Sequence, residues 1–98
     1  MTVYISGPIT GTTDYIERFR RAEERLINEG HRALNPERAN RHYPEGTAWE
    51  IHMRSCIPIL CKADAIYLLK GYQNSKGACL ELQIATELGM IIMEERDE

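Results

Sequence analysis

Four short apolar segments alternate with longer segments of helical periodicity along this chain of 98 residues. Each apolar segment has the length of a strand and is bounded by glycine, proline or polar residues. The predicted strands are Thr2 to Ser6, His31 to Asn35, Ala65 to Leu69 and Met90 to Met93. Strict alternation of strand and helix predicts a mostly parallel sheet with helices covering both faces.

The first predicted helix follows the first strand and its glycine-containing loop. Asp14, with Glu17 three residues later, resembles a capping box, and Gly30 supplies the stop signal. The apolar stripe between them consists of Ile16, Phe19, Ala22, Leu26 and Ile27. The opposite face carries charges of both signs, which indicates contact with solvent.

The second predicted helix follows a polar segment, residues 36–46, that is long for a connection in so small a domain. Such a length favours a loop that closes over a ligand. Thr47 and Glu50 again match a capping box, and the apolar pattern continues towards Lys62. The apolar positions are Trp49, Ile51, Met53, Ile57 and Leu60. Pro58 is expected to kink or split this helix.

The third helix is predicted to begin near Ser75 and to end at Gly89. One face consists of Ala78, Leu82, Ala85 and Gly89, the spacing of a stripe that packs on a sheet. The free N–H groups of its first turn point at the loop of residues 70–76, which suits an anion such as phosphate. Gly77 lets the backbone come close to that anion.

These elements predict a small doubly wound sheet, flavodoxin-like or Rossmann-like, of about four parallel strands in the order 2-1-3-4. Ligands bind such sheets beyond the carboxyl ends of the strands, where the strand order reverses. The loops at that point are residues 7–13, GPITGTT, and residues 70–76. Both loops suit a phosphate, and the strand order makes them face each other.

Composition and charge narrow the function classes. The length is that of one domain, 1–98, and a domain this small gains from a dimer or larger homo-oligomer. The net charge of -3 equals that of residues 94–98, a tail we expect to be mobile, so the body is near neutral. A neutral body argues against a nucleic-acid polymer, and the short apolar runs argue against a membrane span or leader. A cytoplasmic protein is expected.

The three cysteines are Cys56, Cys61 and Cys79, an odd number without CxxC spacing. A disulfide framework or zinc site is therefore disfavoured, and buried thiols are the default interpretation. Cys79 lies near a predicted helix start, where a thiolate is favoured, so a reactive thiol is the second interpretation.

Three side chains each allow a structural and a functional interpretation. Glu81 is either a solvated helix glutamate or, between two small residues of the sheet-facing stripe, a carboxylate that projects over the sheet edge. Asp64 either begins the third strand or belongs to a site. Trp49, near His52 at a helix start, is either a core residue or part of a base pocket.

Three segments then carry a resemblance over nearly the whole chain. The opening VYISGPITG, the middle MRSCIPILCKADAIYLLKGYQNSKGACLE and the ending AxxLGM resemble the nucleoside 2-deoxyribosyltransferase superfamily. Among its members the chain is most similar to short phage and bacterial proteins, and secondarily to 2'-deoxynucleoside 5'-phosphate N-hydrolases. Cys56 stands where relatives commonly carry aspartate, and characterised members continue beyond the fourth strand.

The resemblance implies a catalytic group. Glu81 matches the glutamate of an S-x-G-x-x-x-E segment, which attacks C1' of a deoxyribonucleoside and forms a deoxyribosyl ester. A carboxylate suits this role because it stabilises an oxocarbenium-like transition state before bonding to it. Asp64 matches an aspartate that orients the nucleophile or the base, and Tyr4 matches a tyrosine near the nucleophile.

The resemblance also implies a substrate-binding group and a substrate class. Ser75 and Gly77 match phosphate-side residues of the hydrolases, whereas transferases tend to carry aspartate where Ser75 stands. Ser6 and Gly7 would form the facing half of the phosphate site. Pro8 and Gly11 of the same loop are further candidate substrate-binding residues, and the place of Trp49 near a helix start makes it a candidate for the base pocket. The implied partner is a deoxynucleoside 5'-monophosphate or deoxynucleoside, with no metal and no cofactor.

Two functions of other classes remain open from the sequence. The first is a nucleotide-binding protein without turnover, which senses or sequesters a phosphorylated ligand. The second is a small interaction module whose crevice is filled by side chains.

Overall fold

The computed structural model describes residues 1–96; Asp97 and Glu98 of the acidic tail lie outside that range. The strands are β1 Thr2–Ser6, β2 Arg32–Leu34, β3 Ala65–Leu68 and β4 Ile91–Glu94. The helices are α1 Tyr15–Asn28, α2 Pro36–Ala39, α3 Trp49–Leu60 and α4 Lys76–Glu87, and a 3₁₀ turn spans Tyr72–Asn74.

The four strands form one parallel sheet in the order β2-β1-β3-β4. This arrangement confirms the predicted fold class and strand order. The central pair is in register from Val3 opposite Ala65 to Ser6 opposite Leu68. All carboxyl ends therefore meet at one edge, with the strand order reversing between β1 and β3.

Helices cover both faces of the sheet, and a separate apolar cluster lies beneath each layer. One cluster joins Phe19, Ala22 and Leu26 of α1 to the side chains that β1 and β3 direct to that face. The other joins α3 and α4 to the opposite face. Its members are Tyr4, Cys56, Leu60, Ile66, Leu68 and Ala85. The alternation of side chains along a strand explains why successive β1 residues enter different clusters.

Several local expectations need correction. Neither capping box forms, because the caps Asp14 and Ala48 make no side-chain bond to their helices. The Thr47 hydroxyl donates instead to the Pro44 carbonyl. Pro58 does not split α3, which is continuous to Leu60.

The polar segment after β2 is also more ordered than predicted, because its first residues form α2. Asn35 caps that helix by accepting from the Glu37 N–H, and Pro36 occupies its first position, where no N–H is needed.

Within α1, Ile16 and Ile27 of the predicted stripe are about half exposed.

Glu94 and Glu95, the first two residues of the acidic tail, both accept hydrogen bonds through their carboxylates. Glu94 is the last residue of β4, and its carboxylate accepts from the Tyr72 hydroxyl. The Glu95 carboxylate accepts from the Lys70 N–H at 2.9 Å and lies 3.6 Å from the Arg18 guanidinium. These contacts involve the first two residues of the predicted mobile tail. No helix among residues 1–96 combines the length and apolar character that crossing a membrane requires.

Candidate active site

A cavity of about 450 Å³ opens at the carboxyl edge of the sheet, beside β1 and the start of α4. Its polar wall comes from β1, the loop after it and the first turns of α4. Its apolar wall comes from α3 and neighbouring side chains. The polar lining is Tyr4, Ser6, Thr10, Asn74, Ser75, Lys76 and Glu81, and the apolar lining includes Ile9, Phe19, Pro36, Trp49, Met53 and Cys56.

The carboxyl group of Glu81 is buried in the wall of this cavity. Only 6% of the residue is exposed, although it belongs to a surface helix. The hydroxyls of Tyr4 and Ser6 donate to its two carboxylate oxygens, the Ser6 bond being 2.8 Å long. The structure thereby excludes the solvated-glutamate interpretation and brings three predicted site residues together.

The local sequence explains how Glu81 reaches the sheet. Ser75 caps α4 by accepting from the Ala78 N–H at 3.2 Å, which fixes where the helix begins. Ala78 and Ala85 are buried, and their small side chains let the helix approach the sheet closely. Glu81 lies between them on that face, so its side chain extends over β1.

Burial dominates the electrostatics of this group. It raises the pKa of Glu81 from its ordinary value of 4.5 to about 7, and the hydrogen bonds from Tyr4 and Ser6 oppose that rise. Burial, followed by the charge of Glu81, raises the pKa of Tyr4 well above its ordinary value. Tyr4 therefore stays a neutral donor while Glu81 exchanges its proton near neutral pH.

Cys56 extends this group on the α3 side. Burial raises the pKa of its thiol, which favours the protonated form. The Asn40 amide donates to its sulfur at 2.9 Å. Cys56 thus lines the cavity as a neutral group beneath Tyr4 and Glu81. The default interpretation of buried thiols is confirmed for Cys56 and is wrong for Cys61 and Cys79, which are exposed.

The loops that follow β1 and β3 lie against each other, as the strand order predicted. A Cβ atom on Gly7 would lie 2.7 Å from Cβ of Leu69, so only glycine fits this approach. Gly71 has φ +84°, and a Cβ atom there would lie 3.4 Å from Cγ of Pro8. Pro8 therefore supports the loop contact and does not line the cavity itself.

The start of α4 meets the start of α3 across the cavity. A Cβ atom on Gly77 would lie 3.3 Å from Sδ of Met53 and 3.5 Å from Nε1 of Trp49. The Lys76 ammonium lies 4.0 Å from the centroid of the Trp49 ring. Trp49 is therefore a half-buried wall of the cavity, whereas His52 packs against Tyr43 outside it.

Besides Pro8, two predicted site residues lie outside the cavity lining. Asp64 is exposed and accepts from the Thr2 N–H at 2.9 Å, at the amino edge of the sheet. Thr2 and Ser6 are four residues apart, roughly 13 Å along a strand, so Asp64 does not reach Glu81. Gly11 is exposed, with no atom within 4 Å of where its Cβ would be.

Sequence reasoning missed several lining residues. Lys76 lies between Ser75 and Gly77, two residues that were predicted to bind phosphate. A lysine next to a predicted anion site could have been recognised as a candidate from the sequence. Met53 follows Trp49 by one helical turn, so helix periodicity links the two. Ile9 and Thr10 lie in the predicted loop of residues 7–13, but no pattern distinguished them from the other residues of that loop. Among residues 1–96, no three His, Cys, Asp or Glu side chains group as metal ligands.

Comparisons with known proteins identify a family and a fold neighbour. A family model described as a domain of unknown function, DUF4406, matches residues 1–94. No curated protein matches the sequence significantly. A 2-deoxyribosyltransferase from the psychrotolerant bacterium Bacillus psychrosaccharolyticus, described as a biocatalyst for nucleoside synthesis, is similar in structure. The TM-score is 0.75 at 18% identity, over all of this chain and 77% of that one. The two proteins thus share the fold.

Proposed function

The chain belongs to the DUF4406 family, a domain of unknown function, and we propose that it cleaves the N-glycosidic bond of a 2'-deoxynucleoside 5'-monophosphate. The observation that carries this proposal is the buried Glu81 carboxyl in the cavity wall, held by two hydroxyl donors. A cavity of about 450 Å³ has the size of a small-molecule site. The fold neighbour is a deoxyribosyltransferase, which supports a deoxyribosyl substrate.

In the first step, the ionised carboxylate of Glu81 attacks C1' of the deoxyribose. A bond forms from a carboxylate oxygen to C1', and the bond from C1' to the base nitrogen breaks. The electron pair of that bond leaves with the base, which then takes a proton from solvent. Tyr4 and Ser6 fix the orientation of the carboxylate, so its oxygens are already positioned when the substrate binds.

In the second step, water attacks C1' and displaces Glu81 as a carboxylate. One proton of the water stays on the new C1' hydroxyl and the other passes to solvent, and the product is 2-deoxyribose 5-phosphate. If a second base attacks in place of water, the same intermediate gives base exchange. The phosphate is placed between the loop after β1 and the first turn of α4, where Ser6, Gly7, Ser75 and Gly77 line the cavity.

The test is to incubate the protein at high concentration with each deoxynucleoside 5'-monophosphate and to measure free base. We expect release by the native protein and a loss of roughly a thousandfold or more in Glu81→Gln. Glu87→Gln changes an exposed carboxylate at the end of the same helix and is expected to retain activity. Base exchange is measured by adding a second free base.

Two outcomes would refute the enzymatic proposal. Absence of free base with every monophosphate, despite saturable binding, would select the nucleotide-binding function. Undiminished release by Glu81→Gln would remove the assigned nucleophile. Absence of both release and binding would leave the small interaction module.

A further inference from the structure

Lys76 and Trp49 form a contact that the proposed chemistry does not use. The Lys76 ammonium lies over the Trp49 ring, 4.0 Å from its centroid, and both side chains line the cavity. Trp49 is half-buried, but Lys76 is exposed. The ammonium thus covers the large flat surface that the cavity offers to a base.

Lys76 lies at a position where a positive charge is unfavourable unless an anion is bound nearby. Lys76 is the first residue of α4, where the partial positive charge of the helix dipole repels an ammonium group. Within residues 1–96, no carboxylate pairs with it, and the aromatic ring is its charge-stabilising neighbour. A cation–π contact at an exposed site is weak, so a phosphate can displace it.

The charges of the cavity also suit a nucleotide. Among the described residues that line it, Lys76 is the one cation and Glu81 is the one carboxylate. They are five residues apart on α4, a rise of roughly 7.5 Å along the helix axis. A cation and a carboxylate on separate turns of one helix suit a ligand that carries a phosphate at one end.

We propose that Lys76 is a phosphate-responsive cover on Trp49 and that it selects 5'-monophosphates over unphosphorylated nucleosides. A dianionic phosphate draws the flexible ammonium off the indole ring and pairs with it. The uncovered ring then stacks on the base. A nucleoside without phosphate must displace the ammonium without neutralising it. The selection for substrates rests on the proposed function, but the movement of Lys76 does not.

The movement is tested by fluorescence, because Trp49 is the single tryptophan of the chain. Inorganic phosphate and each deoxynucleoside 5'-monophosphate are titrated into the native protein and into Glu81→Gln, which blocks turnover. We expect a saturable change in tryptophan emission in both. In Lys76→Gln, inorganic phosphate is expected to produce no change, whereas Lys76→Arg keeps the response. Lys62→Gln, an exposed lysine outside the cavity, is the matched control.

The selection is tested by comparing kcat/KM for each monophosphate and its deoxynucleoside. In Lys76→Gln, we expect the monophosphate value to fall about 10- to 100-fold, as for loss of a charge-assisted bond. The deoxynucleoside value should stay constant or rise. Equal losses for both substrates would indicate a merely structural lysine and would overturn the inference.

The two proposals fail in different ways. A Lys76-dependent fluorescence response without base release would retain the phosphate-responsive cover and refute the enzyme. Base release with no response of Trp49 to phosphate, or with a full response in Lys76→Gln, would retain the enzyme and overturn the cover.

Discussion

The Ser6 hydroxyl donates a 2.8 Å hydrogen bond to Oε1 of Glu81, across 75 residues of sequence. The bond exists because β1 is a central strand and α4 packs on the face that β1 presents to it. Together with the Tyr4 hydroxyl, it gives both carboxylate oxygens a donor in a buried position. The protonation of Glu81 consequently affects both stability and reactivity.

The first prediction concerns stability between pH 4.5 and 8. Burial raises the pKa of Glu81 from 4.5 to about 7, so the folded protein binds more protons than the unfolded chain in this window. The contribution is fully present below pH 4.5 and is lost as pH rises through about 7. The loss is about 3 kcal/mol in the free energy of unfolding. Urea denaturation at a series of pH values measures it.

Glu81→Gln provides the reference for that experiment. The neutral amide does not titrate, so the native protein should become less stable relative to this variant as pH rises through the window. A constant difference between the two proteins from pH 4.5 to 8 would contradict a raised pKa for Glu81.

The second prediction concerns the pH dependence of base release and the role of Tyr4. The nucleophile must be ionised, so activity should rise with pH through about 7, the pKa of Glu81. Tyr4→Phe keeps the ring but removes a donor to the carboxylate. Since hydrogen bonding favours the ionised form, its loss should move the midpoint upward by about one pH unit. The measurement is kcat/KM against pH.

Tyr15→Phe is the matched control for that substitution. Tyr15 also packs against the sheet, but it belongs to the cluster under α1 and does not line the cavity. Its pH profile should coincide with that of the native protein. A profile for Tyr4→Phe with an unchanged midpoint would show that Tyr4 does not act through Glu81.

The fold could be predicted from sequence because its signals are redundant. Each strand is a separate apolar run, and β3 and β4 differ from the predicted ranges by a single residue at one or both ends. The strand order was the one typical of doubly wound sheets, and no single residue determined it. The helix N-caps were less predictable, because the side chains of Asp14 and Thr47 can each bond to several nearby backbone groups.

The site was only partly predictable, because burial depends on packing between distant segments. Helix spacing placed Glu81 beside the sheet, but it did not predict whether a hydrogen-bond donor would lie within reach of the carboxylate. The answer depended on Tyr4 and Ser6 pointing to the same face of β1. Asp64 could have been excluded from the site on the sequence alone. A residue that precedes a parallel strand lies at the amino edge of the sheet, opposite the edge where ligands bind.

The third prediction concerns the cap of α4. Ser75→Ala removes the acceptor for the Ala78 N–H and should lower the free energy of unfolding by about 1 kcal/mol. It should also raise KM for the monophosphate, because Ser75 lines the cavity beside the proposed phosphate position. Ser55→Ala, within α3 and outside the cavity, controls for loss of a serine hydroxyl. Equal stability of Ser75→Ala and the native protein would argue against the cap.

The fourth prediction separates Asp64 from catalysis. Asp64→Asn keeps an oxygen that can accept from the Thr2 N–H, and the side chain lies at the far edge of the sheet. Base release should therefore stay within about twofold of the native rate, the range of an ordinary surface substitution. A loss of about tenfold or more, with unchanged thermal stability, would restore Asp64 as a catalytic helper.

The fifth prediction concerns the close approach of the loop after β1 to the end of β3. Gly7 is not among the glycines with positive φ, so alanine is acceptable to its backbone. The added Cβ atom, however, would lie 2.7 Å from Cβ of Leu69, an atom that cannot rotate away. The loop must shift, at a cost of about 1–3 kcal/mol in stability.

Because Gly7 directly follows Ser6, that shift should also displace the hydroxyl that donates to Glu81. Gly7→Ala is therefore expected to lose both stability, measured by thermal denaturation, and kcat/KM for the monophosphate. Thr13→Ala, an exposed change in the same loop, should lose neither. A stable and fully active Gly7→Ala would mean that the two loops need not touch for the carboxylate to be held in place.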